Sequence, residues 1–199
     1  MSKIVFLDVD GTLIDYEAKL PASAAKAVDQ ARANGHKVYI CTGCSKAEIL
    51  QRNLCDLDGM IGGNGAYVED NGHVVMHQGL SKEDVKNIVD WCNERHIGFY
   101  LEANSGMYCN DYMLEQGPET MVKYAKGKGA SLENAKSSAQ HFIDGFIHLQ
   151  GDELYRDDVN KISFILRTYQ DHLDSKVDFP HLVANTWGGK GEVDRKSVV

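Results

Sequence analysis

The sequence predicts an α/β fold, in which a parallel-sheet core is joined to an α+β module. Three observations predict it. Apolar, β-branched runs at residues 3–7 and 36–41 flank a helical stretch over about 20–34, and this strand–helix–strand order implies a right-handed parallel unit. Two acids, Asp8 and Asp10, break the apolar pattern where the first run ends. Beyond about residue 78 the strands come in close pairs, which is antiparallel α+β spacing rather than more parallel core.

The first strand delivers Asp8 and Asp10. Residues two apart on a strand face the same way, so the two carboxylates can converge on one small volume. Gly11 supplies a tight turn and Thr12 a hydroxyl beside them. In open α/β sheets ligands bind at the carboxyl ends of strands. Two close carboxylates repel, and a hard cation such as Mg²⁺ relieves the repulsion. The helix that follows carries a small apolar stripe of Ala24, Ala25, Val28 and Ala31, closed by Asn34-Gly35.

The second strand ends at Cys41, and the parallel crossover brings Thr42-Gly43 beside Asp8. A threonine hydroxyl and the following backbone N–H groups can grip a phosphate oxygen, while Ser45 reads as the N-cap of a helix over 46–54. A short strand at 58–61 leads into Gly62-Gly63-Asn64-Gly65-Ala66, where Asn64 either touches substrate or shapes the turn. Two β runs joined by Asp70-Asn71-Gly72 predict a hairpin over 68–75.

In the α+β module, Ser81-Lys82-Glu83-Asp84 reads as a capping box opening a helix to about His96, with Val85, Ile88, Val89 and Cys92 on its buried face. Strands follow at 97–102 and 107–110, then a Lys- and Gly-rich stretch at 124–131. A strand at 162–166, a helix at 169–175 and a strand at 181–187 complete the module. The boundaries expected are 1–78 for the core, 79–186 for the module and 187–199 for the start of a return to the core. Trp91 and Trp187 read as core or domain-interface aromatics.

The composition narrows the function. With 199 residues, 43% hydrophobic and 25% charged, the chain suits one large globular domain or two small ones. A net charge of −8 argues against a nucleic-acid binder, which needs a basic face. No apolar run is long enough to span a bilayer, and the N-terminus enters a strand without a signal peptide, so a membrane partner is not expected. Five cysteines without disulfide-framework spacing fit a cytoplasmic protein. Cys41-Thr42-Gly43-Cys44 is formally a C-x-x-C, but the phosphate-gripping turn accounts better for its Thr-Gly. The eight histidines lack metal-ligand spacing.

Asp8-Val9-Asp10-Gly11-Thr12-Leu13 after an N-terminal strand resembles the first motif of the haloacid dehalogenase superfamily, and Thr42-Gly43 resembles its second. The Asn64-Gly65-Ala66 turn with its hairpin is similar to the Cof-type branch, whose type IIB α+β cap is inserted into a Rossmann-like core; Asn160-Lys161-Ile162 fits a recurring strand of that cap. The resemblance implies a Mg²⁺-dependent phosphatase acting on a small phosphorylated metabolite. Asp8 is then the nucleophile that carries an aspartyl-phosphate, and Asp10 the acid and base, which is chemistry two nearby carboxyls can perform. Asp8 and the Asp10 carbonyl hold Mg²⁺, and Thr12, Thr42, Gly43 and Asn64 are the candidate substrate contacts. Cys44 stands where many relatives have arginine.

The same resemblance calls for a lysine beside the nucleophile and a Gly-Asp motif for Mg²⁺, both expected beyond Val199. A lysine about 4 Å from the developing charge is worth about 4 kcal/mol at an effective dielectric of 20. Lys190 or Lys196 could substitute, and Gly151-Asp152 is an internal Gly-Asp, read as a surface turn in preference to the missing motif. A core short of strands exposes apolar surface to solvent or to a second subunit, so a homo-oligomer is expected. The rival readings are an incomplete member that binds phosphorylated ligands without turnover, and a phosphotransferase of the mutase kind.

Overall fold

The computed structural model describes residues 1–15, 19–186 and 195–198, and divides the chain into two compact units, Met1–Gln78 and Gly79–Val199. The first unit holds β1 (Ile4–Leu7), α1 (Ala22–Ala33), β2 (Lys37–Cys41), α2 (Lys46–Leu50), β3 (Gly59–Gly62), β4 (Tyr67–Asp70) and β5 (His73–His77). Its five strands lie in chain order. β1, β2 and β3 are parallel, with Leu7 beside Ile40 and Cys41 beside Ile61, so their carboxyl ends share one edge. β4 and β5 form the expected hairpin and extend the sheet antiparallel to β3.

Period-two alternation sorts the side chains of this sheet. Val38, Ile40 and Met60 face α1 and α2, where Val28 and Ile49 complete a core with Val9, Leu13 and Ile14 from the first loop. On the other face Ile4 is 61% and Phe6 56% exposed, and a shallow depression runs over Ile4, Phe6, Tyr39, Ile61 and Val68. Parallel sheets are ordinarily covered on both faces. In this unit α1 and α2 cover one.

The second unit holds α3 (Lys82–Glu94), β6 (Phe99–Ala103), β7 (Met107–Cys109), α4 (Asp111–Gly127), α5 (Leu132–Asp144), β8 (Phe146–His148), β9 (Val159–Ile165), α6 (Tyr169–Asp178), β10 (Ala184–Thr186) and β11 (Arg195–Val198). The sheet order is β10-β11-β9-β6-β7-β8, antiparallel except for β7 beside β8. Ser81 caps α3 by accepting from the Asp84 N–H at 3.0 Å, and Val85, Ile88, Val89 and Cys92 are fully buried, as the periodicity predicts. Trp91 packs in the same core, against Phe164 and Phe179, and its indole N–H donates to Asp178 at 2.7 Å.

The stretch 111–144, in which the sequence reading placed a Lys- and Gly-rich segment at 124–131, is a pair of helices, α4 and α5, packed over Tyr100, Cys109 and Ile165. Gly151–Leu154 is a 3₁₀ turn in the second unit, in keeping with the surface turn expected there. Within the expected return to the core at 187–199, the described residues Arg195–Val198 pair antiparallel with β9 and β10 in the second sheet. The physical reason is an open strand edge on β9, whose backbone groups β11 satisfies. Trp187, Lys190 and the rest of 187–194 lie outside the described residues, as does Val199.

Fully buried within the second sheet is a cross-strand ion pair. Lys161 of β9 and Glu102 of β6 are directly opposed, 1% and 0% exposed, with Nζ and Oε2 2.9 Å apart. Ser163 donates to the other Glu102 oxygen at 2.7 Å.

Candidate active site

β1 stops at Leu7, and the next three residues keep the strand's alternation. Val9 is fully buried while Asp8 and Asp10 on either side of it are exposed. The loop is locked from beneath: the Val9 carbonyl accepts from the N–H groups of Thr12, Leu13 and Ile14, and the Asp8 carbonyl from Leu13. Gly11 sits at φ 78°, the left-handed region where a side chain is strained, and its N–H donates to the Ile14 carbonyl at 3.0 Å.

The ends of β2 and β3 supply the facing turn. Thr42 is buried, its N–H donates to the Ile61 carbonyl at 2.9 Å, and its Oγ1 accepts from the Cys44 N–H at 3.2 Å. That amide, read from the sequence as one of the phosphate donors, is thus spent on the turn itself; the threonine hydroxyl keeps its own proton. The Cys44 carbonyl accepts from Gly63, and Asn64 stands in the left-handed region at φ 57°. A side chain on Gly43 would meet Asn64 Oδ1 at 2.7 Å, so those two residues are neighbours. Ser45 caps α2, accepting from the Glu48 N–H at 3.2 Å.

Asp10 joins the two loops. Its Oδ2 lies 3.8 Å from Cys44 Sγ, and its Oδ1 accepts from Arg52 Nη1 at 2.5 Å. Arg52 Nη2 in turn donates to Glu48 Oε1 at 2.6 Å and lies 3.4 Å from Cys44 Sγ. Burial, then the Glu48 charge, pushes the Cys44 thiol well above its ordinary range, while Cys41 is exposed and both are free thiols. A thiol held protonated is a poor nucleophile, so Cys44 serves the turn by packing and not by attack.

The structure therefore brings Asp10 to the Thr42–Cys44 turn and Asn64 to Gly43. Asp8 is exposed at the same strand end, and Thr12 is exposed in the loop with its N–H turned to Val9. Arg52 and Glu48 were not singled out from sequence. Their i, i+4 spacing was readable, but nothing in it says that the guanidinium reaches a loop 42 residues earlier.

Among the described residues no cluster of three or more acidic, histidine or cysteine side chains could hold a metal. Mg²⁺ does not demand one, because it keeps several waters and takes one or two carboxylates together with substrate phosphate. The oxygen donors of Asp8 and Asp10 fit that pattern.

Known proteins agree with this geometry. The 5-amino-6-(5-phospho-D-ribitylamino)uracil phosphatase YwtE of Bacillus subtilis (strain 168) is 31% identical over 114 residues, 56% of this chain and 37% of its own length. The chain spans about two fifths of the length of the curated relatives it matches. A haloacid dehalogenase-like hydrolase from B. subtilis superposes with a TM-score of 0.74 at 19% identity, over 98% of this chain and 72% of that one. The subclass IIB sugar phosphatase BT4131 gives 0.67 at 20% identity, over 100% and 70%. Likenesses at such identities establish the fold alone. No described helix is long and apolar enough to cross a membrane. The sequence model of the haloacid dehalogenase-like hydrolases matches residues 5–197, nearly the whole chain, and the chain belongs to that family.

Proposed function

We propose that this chain carries the catalytic acids of a Mg²⁺-dependent phosphatase acting on a phosphomonoester of a small metabolite, with Asp8 as nucleophile and Asp10 as acid and base. One observation supports the reading above the rest: two exposed acids flank the buried Val9 at a parallel strand end, and the second lies against the Thr42–Cys44 turn. A carboxylate oxygen of Asp8 forms a bond to phosphorus as the bond from phosphorus to the leaving oxygen breaks, and Asp10 delivers a proton to that oxygen. Asp10 then takes a proton from water as the water oxygen bonds to phosphorus, which frees inorganic phosphate and restores the Asp8 carboxylate. The Thr42 hydroxyl donates to a phosphoryl oxygen and Asn64 lines the turn beside it. Asp8 and the Asp10 carbonyl would hold Mg²⁺, whose charge offsets that of the phosphoryl oxygens.

The substrate class in this reading is a phosphorylated sugar or related polyol, supported by the activities for which YwtE and BT4131 are named. Cytoplasmic residence and self-association through the uncovered face of the first sheet belong to the same reading. A second reading, a protein that binds phosphorylated ligands without turning them over, is favoured by the engagement of Asp10 with Arg52. Phosphate release from a generic aryl phosphate by the purified chain, with and without Mg²⁺, separates the two. Mg²⁺-dependent release that falls by about 10³-fold or more in Asp8→Asn supports hydrolysis. Release unchanged in Asp8→Asn refutes it, and transfer to an added sugar rather than to water makes the chain a phosphotransferase.

A further inference from the structure

We propose that Arg52 is a positioning residue for Asp10, holding its carboxylate over the Thr42–Cys44 turn; this rests on the role given to Asp10 above. Asp10 is 60% exposed at the side chain, and a carboxylate in that setting would ordinarily swing between rotamers. The structure instead clamps it from outside its own loop. The Arg52 guanidinium is itself fixed before it reaches Asp10. The Arg52 main-chain N–H donates to the Ile49 carbonyl at 3.0 Å, which anchors the backbone of the residue beside the core. Glu48 takes Nη2 at 2.6 Å, and the Cys44 sulfur lies against the same nitrogen at 3.4 Å. Nη1 is left to Asp10 Oδ1 at 2.5 Å.

The arrangement uses what distinguishes arginine from lysine. A guanidinium is a rigid fork that bonds two acids at once through different nitrogens, whereas an ammonium is a single point. Through the fork, Glu48 on α2 sets the place of Asp10 on the β1 loop, and the second Asp10 oxygen is left facing the Cys44 side of the turn. The chain thereby ties its acid to the element that follows the phosphate-gripping turn, so the two parts of the site move as one.

The test compares Arg52→Ala and Arg52→Lys in the full chain for turnover of an aryl phosphate with Mg²⁺, each also in the Asp10→Asn background. A misplaced catalytic group costs up to about 10²-fold. Both variants are expected to lose about 10-fold or more in kcat with KM changed little, and neither loses more once Asp10 is asparagine. Full kcat in Arg52→Ala, wild-type behaviour of Arg52→Lys, or losses that multiply in the Asp10→Asn background overturn the proposal. The Nη1 protons of Arg52 by NMR give a readout independent of turnover: protected from exchange in the wild type and released in Asp10→Asn, while the Nη2 protons bonded to Glu48 stay protected. Nη1 protection that survives Asp10→Asn overturns the proposal even if the enzyme is active. An inactive wild type sinks the hydrolytic reading instead, and the NMR comparison then decides the Arg52 claim alone.

Discussion

Replacing Lys161 with methionine should be the most destabilising charge-removing change in the second unit. Lys161 and Glu102 are shut off from solvent, 1% and 0% exposed, and stand 2.9 Å apart on opposed positions of β9 and β6. Methionine fills nearly the same volume, so packing changes little and the loss isolates the charge. What remains is a buried carboxylate that has lost the ammonium 2.9 Å away, with Ser163 still donating to it. Removing one member of a buried pair costs about 3–5 kcal/mol, against a total stability of about 5–15 kcal/mol for a whole domain. The double variant Lys161→Met with Glu102→Leu removes both charges and should recover most of that, because a buried pair exchanged for apolar residues is close to neutral. Urea unfolding followed by far-UV circular dichroism reads both. A single variant within about 1 kcal/mol of wild type, or a double variant as unstable as the single one, would refute the argument that desolvation governs this pair.

Two further changes test the first unit. Gly59→Ala places a methyl 2.0 Å from the Glu69 carbonyl oxygen, so β3 and β4 must separate, and the unit should lose about 2 kcal/mol or more by urea unfolding or fail to fold. For Glu69, burial would raise the carboxyl, but hydrogen bonds from Lys46 and Tyr67 outweigh it and hold it below its ordinary 4.5. A depressed carboxylate contributes stability above its unfolded value and loses it as pH falls through the folded one. Glu69→Gln should therefore flatten the fall in urea midpoint between about pH 5 and 3, and an unchanged acid limb would count against the pairing.

The parts of this molecule that were legible in its sequence are those set by short-range rules. The acids at Asp8 and Asp10 announce themselves because they break an apolar strand, and Ser81 because a cap acts on a residue three positions away. The α4 helix, which the sequence reading did not place, contains Gly117-Pro118. Proline lacks an N–H and usually ends a helix, yet α4 continues through it with Met113, Gly117, Thr120 and Met121 on its buried side. An added methyl at Gly117 would lie 2.8 Å from the side-chain tip of Ile143 of α5. Its glycine marks a close helix contact, and no local pattern distinguishes that from a turn. Arg52 was missed for a similar reason: its partner in the site is far away in sequence. The pairing of β11 with β9 is settled by which strand edge is open, a property of the assembled sheet.

β1 is held less firmly than any other strand that feeds the site. Among the described residues it has one hydrogen-bonding neighbour, β2, and only alternate side chains, Val5 and Leu7, pack inward. Ile4 and Phe6 stay wet, so burial that is worth about 1.5–3 kcal/mol per large apolar side chain is mostly forgone on that side. Local opening of this strand is accordingly cheap, and its amides should exchange with deuterium ahead of those of β2. The acids follow directly on its last residue. Any body that dries Ile4 and Phe6 would therefore stiffen, from behind, the strand that leads into Asp8, the nucleophile of the proposed reaction.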